Sequence, residues 1–109
     1  MRATIHLLPW SRGAEVSSVD VNVPDGLTPE AAAEHLFEAS NIGEATVRSR
    51  SMSVGDAAEV FTACGRVLLG CCPSGWVRLH IDLLPAMTTM SQDLRSRIFS
   101  GLAKMEAIA

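Results

Sequence analysis

Tyrosine is absent from this chain, and the other aromatics are few: two Trp and three Phe. Any core must therefore come from Val, Leu, Ile, Ala and Met. No paired Cys-x-x-Cys or close His/Cys group occurs, which argues against a zinc site. The three cysteines, Cys64, Cys71 and Cys72, make a poor disulfide framework, being odd in number with two adjacent. They read as buried free thiols in a reducing cytoplasm. No apolar run reaches the roughly 20 residues that span a bilayer, and no basic-then-apolar leader opens the chain. The expectation is a cytoplasmic protein without membrane contact, bound metal or cofactor. Glycine-rich phosphate loops and dinucleotide fingerprints are missing too.

With 109 residues, 48% of them hydrophobic and 19% charged, the chain reads as one globular domain spanning residues 1–109. The net charge of −3 argues against a protein whose main task is wrapping nucleic acid. The charge is uneven, however. Residues 1–47 carry Arg2 and Arg12 against seven acids, whereas seven bases lead from Arg48 onward. A local basic face of Arg48, Arg50, Arg66 and Arg78 stays open, and with it a nucleic-acid partner.

The local pattern predicts an α+β fold: an antiparallel sheet of about five strands with two helices packed on one face. Ala3–Leu8 and Val16–Val23 read as a hairpin, the second strand alternating Val19, Val21 and Val23 with Asp20 and Asn22. Thr28-Pro29-Glu30 is a strong helix start, and that helix runs to about Ser40. Three apolar runs follow, at 57–63, 67–72 and 76–83, divided by Cys64-Gly65-Arg66 and Pro73-Ser74-Gly75. In the last run Trp76, Arg78, His80 and Asp82 alternate with apolar residues. A final helix is expected to turn Leu94, Ile98, Phe99, Leu102 and Met105 inward and Arg95, Arg97 and Lys104 outward.

The polar stretch Arg48-Ser49-Arg50-Ser51-Met52-Ser53-Val54-Gly55-Asp56 is the central candidate. If extended, it projects Arg48 and Arg50 together, a pair suited to phosphate or carboxylate. Arg48, Arg50, Ser51, Ser53, Asp56 and the wet-face Trp76 are the expected binding residues. No catalytic constellation assembles from the sequence. His6, His35 and His80 lie in different elements, and Ser51-Met52-Ser53-Val54-Gly55 lacks the first glycine of a Gly-x-Ser-x-Gly nucleophile elbow. Cys72 and His80 could meet across the last hairpin, the basis of a third reading as a small cysteine or serine enzyme.

Residues 30–80 carry a helix ending near Phe37–Asn41, then Arg50-Ser51-Met52-Ser53-Val54-Gly55-Asp56, a hairpin and Gly75-Trp76. This resembles a group of small phage- and plasmid-encoded proteins that includes YodL-like domains. The sequence departs from that group in placing Ala57 and Ala58 after the Asp, and Val67–Leu69 where an aromatic is usual. The resemblance implies a mobile-element setting rather than an activity. The expected function is a non-enzymatic protein-binding accessory protein, one that inhibits or redirects a host or defence protein. A homodimer is open to it as well.

Overall fold

The computed structural model describes residues 1–9, 17–41 and 52–108. Five strands form one antiparallel sheet in the order β2-β1-β3-β4-β5. They are β1 (Arg2–Leu7), β2 (Ser17–Asn22), β3 (Ala57–Thr62), β4 (Gly65–Cys72) and β5 (Gly75–Leu79). Helix α1 (Pro29–Asn41) connects β2 to β3. A single turn of 3-10 helix (Ile81–Leu83), the short α2 (Leu84–Met87) and α3 (Gln92–Ile108) complete the chain. The α+β class and the five-stranded antiparallel sheet are as the sequence predicts.

The two long helices lie on opposite faces of the sheet, not on one face as expected. Side chains alternate across a strand. Ala58, Val60 and Leu69 share a core with Ala32, Ala33 and Leu36 of α1. Their neighbours Ala57 and Leu68 share a different core with Phe99 of α3. Strands β3 and β4 are therefore buried on both sides, and continuous apolar runs such as Leu68-Leu69 and Cys71-Cys72 are what that requires. Small residues admit both helices. Alanines meet on the α1 side, while on the other side Phe99 lies directly over Gly70. A Cβ at Gly70 would fall 2.8 Å from the Phe99 ring.

Local signals set the element ends. Thr28 caps α1, its Oγ1 accepting from the Ala31 amide at 3.2 Å. Ser91 does the same for α3 through the Leu94 amide. Strand β5 is shorter than its alternation suggested. Beyond Leu79, His80 adopts an extended conformation and its Nδ1 accepts from the Asp82 amide at 3.2 Å, so His80 and Asp82 start the 3-10 turn instead of continuing the strand. Cys64 lies exposed in the β3–β4 turn, unlike the buried Cys71 and Cys72. Among the described residues, no helix is long and apolar enough to cross a membrane.

Candidate functional site

The polar stretch divides at residue 52. Arg48, Arg50 and Ser51 lie outside the described residues. Met52 is buried, with its amide donating to Ser40 Oγ at 2.8 Å. Ser53 to Asp56 form a turn closed by the Asp56 amide on the Ser53 carbonyl at 3.0 Å, and Gly55 takes φ +95° within it. Asp56 is fully buried. One carboxylate oxygen accepts from the Leu8 amide at 3.0 Å and the other from the Ser53 amide at 2.9 Å. A carboxylate can only accept, so Asp56 fastens this turn to the end of β1. Ser53 and Asp56 hold the turn's shape and present little to a ligand.

A residue expected on the solvent side anchors the same turn. Arg95 is fully buried. Its Nε donates to the Gly55 carbonyl at 2.8 Å and Nη2 to the Pro9 carbonyl at 2.6 Å. Nη1 reaches the carbonyls of Met87 and Met90 that end the segment before α3. Gln92 joins in, accepting from Arg95 Nη2 and donating to the Val54 carbonyl. The planar fork of Arg suits several fixed carbonyls at once. One of three basic residues in an amphipathic helix pattern, Arg95 carries no sequence signal of this role.

Trp76 borders an open cleft between α1 and the β4–β5 turn, with a volume of about 360 Å³. Its ring meets Phe37 edge-on, with centroids 6.3 Å apart and planes at 81°. The indole N–H donates to Glu34 Oε2 at 2.9 Å. Val54, from the central turn, and Cys71 also line the cleft. The position of Trp76 on the sheet face that carries α1 is the reason. Trp76 pairs with Cys71 and Arg78 with Leu69 in the register, so both project beside α1. Arg78 is held there by Glu30 at 2.7 and 3.2 Å. That guanidinium holds the Glu30 carboxyl below its ordinary range. Aromatic walls beside an exposed carboxylate suit an apolar or cationic side chain. The cleft does not favour thiol chemistry. Burial, with the charge of Asp56 second, pushes the Cys71 thiol up to about 12, and burial raises Cys72 as well.

The opposite face of the β2-β1-β3 half is polar. Register sets Ser18 opposite His6 on one side and Glu59 opposite Thr4 on the other, so Glu59 reaches His6 diagonally across the same face. His6 Nε2 lies 2.9 Å from Glu59 Oε1, and Nδ1 lies 2.9 Å from Ser18 Oγ. Because the carboxylate accepts, Nε2 carries a proton; in the tautomer with Nδ1 bare, that nitrogen accepts from the Ser18 hydroxyl. His6 and Glu59 are buried and Ser18 is exposed. Arg66 Nη1 stands 3.1 Å from Glu59 Oε2 without hydrogen-bond alignment, so that contact is one of charge alone. The histidines are scattered in sequence, and only strand pairing reveals this line. Arg66 and Arg78 project from opposite faces, because Arg66 pairs with Phe61 and Arg78 with Leu69. These two arginines cannot belong to one basic face. Among the described residues, no three His, Cys, Asp or Glu side chains converge as a metal site would need.

No family model matches the chain, and none of the curated proteins or solved structures compared with it does either.

Proposed function

We propose that this is a non-enzymatic protein-binding accessory protein that receives a side chain of its partner in the Trp76 cleft. The observation carrying this reading is the open cleft with a Phe37–Trp76 wall and the Glu34 carboxylate at its edge. Trp is the residue most often dominant at protein interfaces. The partner group would be apolar or basic, a Leu, Met, Lys or Arg side chain on an exposed segment. The resemblance of residues 30–80 to small phage and plasmid proteins supports a mobile-element setting, in which the partner is a host or defence protein. A cytoplasmic location fits that setting. The opposed directions of Arg66 and Arg78, each beside a carboxylate, weigh against a nucleic-acid role.

The test is a tagged capture from host lysate, with and without nuclease, run in parallel with Trp76→Ala. A partner retained through nuclease treatment should bind the variant about 2 kcal/mol more weakly, roughly thirty-fold. Equal capture by the two proteins would remove the cleft from the reading. Material lost with nuclease would transfer it to nucleic acid.

One observation favours a second reading, hydrolysis by a serine. The Ser18–His6–Glu59 line has the nucleophile–base–orienter order of acyl-transfer enzymes. His6 would take the Ser18 proton as Oγ attacks an acyl carbon and hand it to the leaving group as the bond to that group breaks; water, deprotonated by His6, would then release the acid and free Ser18, with Glu59 steadying the ring throughout. Labelling by a fluorophosphonate, abolished in Ser18→Ala, would support it. Absence of labelling at high probe concentration would leave the line as packing between strands.

A further inference from the structure

A surface helix needs one apolar stripe to hold its sheet. α3 has two. The first contains Phe99 and packs on the sheet beside the buried Arg95. The second consists of Leu94, Ile98 and Met105, exposed at 45%, 37% and 67%. Their spacings of four and seven residues put them in one line along the helix. Three of the four exposed large apolar side chains among the described residues thus share a single stripe. Gly101 lies in the same line, and a Cβ built there meets nothing within 4 Å. It leaves a notch between Ile98 and Met105.

We infer that two copies of this chain pair through α3, antiparallel about a two-fold axis between Leu94 and Met105. In that arrangement Leu94 of one copy meets Met105 of the other, and Ile98 enters the notch at Gly101. The charges beside the stripe agree. Asp93 and Lys104 lie near opposite ends of α3, so the antiparallel pairing sets Asp93 of each copy beside Lys104 of the other. A parallel pairing would instead turn the Asp93–Lys104 flank of each copy away from the same flank of the other. Asp93 already holds Arg97 at 2.8 Å, and the second copy adds a cation on its far side. A single helix pair buries less than the ~1,200 Å² of a standard stable interface. The dimer is therefore reversible and concentration-dependent.

Sedimentation equilibrium from micromolar to millimolar protein tests this. The intact chain should pass from monomer to dimer. Ile98→Glu should weaken association at least about tenfold, with circular dichroism and melting temperature unchanged because the site is on the surface. Asp93→Lys alone should weaken it, and Asp93→Lys with Lys104→Asp should restore it to within about threefold. Should Ile98→Glu disturb folding, Met105→Glu at the most exposed position replaces it. A monomer up to about 1 mM, or a dimer indifferent to the charge in the stripe, overturns the inference. Failure of the paired charge reversal overturns the antiparallel register.

Discussion

Replacing Arg95 with alanine is expected to destabilise the fold by about 3–5 kcal/mol. The guanidinium donates to carbonyls on three segments, at Pro9, Gly55 and the Met87–Met90 turn. Truncation takes this donor from the buried Pro9 and Gly55 carbonyls, while Met87 keeps the Met90 amide, and leaves a cavity under the start of α3. Arg95→Lys keeps the charge but replaces a planar fork with one ammonium that cannot reach three directions. It should still cost about 2 kcal/mol. Urea unfolding, with the midpoint and slope fitted separately, checks both variants. A loss under about 1 kcal/mol for the alanine variant would mean that the clamp is incidental to stability.

Asp56→Asn should be nearly as damaging as Asp56→Ala, each costing about 2–3 kcal/mol. The two carboxylate oxygens each meet a backbone N–H, of Leu8 and of Ser53. Asparagine offers one acceptor and one donor, so its NH₂ group must confront an N–H. Alanine removes both acceptors and orphans both amides. The informative readout is hydrogen exchange at the Leu8 amide, which should speed up in both variants ahead of the sheet amides. Unchanged protection at Leu8, or an Asp56→Asn protein as stable as the parent, would refute the structural role. The distinction matters for function: a loss of partner binding in an Asp56 variant that tracks its loss of stability reports on the turn. A loss in Trp76→Ala without destabilisation reports on the cleft.

The strands were legible in the sequence because their signals are local. Val19, Val21 and Val23 alternate, Thr28-Pro29 starts a helix, and Gly65 and Gly75 mark turns that the structure keeps at positive φ. The placement of the helices was less so. The unbroken run Leu68-Leu69-Gly70-Cys71-Cys72 already contains the signal of a doubly covered strand, yet the clean alternation around Trp76 suggested one wet face. That face is instead the margin of α1, closed by Glu34 and Glu30. In α3 two stripes compete, and Leu94, Ile98 and Met105 occupy the exposed one while Phe99 fills the buried one. No local rule announces that an arginine will turn inward, because its partners are carbonyls from distant segments. The Ser18–His6–Glu59 line is hidden for the same reason: two strand registers must be known before it exists.

The reach of Arg95 also dictates an order of events during synthesis. The Pro9 carbonyl that it holds lies 86 positions earlier in the chain, and Asp56 reaches back 48 positions to Leu8. The strands can begin to pair as soon as β4 and β5 leave the ribosome. Asp56 can already tie Leu8 to the central turn, but the Pro9 carbonyl is not held, nor the groove over Gly70 filled, until α3 has emerged. A nascent chain halted before Arg95 therefore displays an apolar sheet face to its surroundings, and its dominance by distant contacts slows closure further. Emergence of α3, rather than completion of the sheet, is the event that closes this fold, and until then the uncovered face is a substrate for chaperones or for neighbouring chains on the same message.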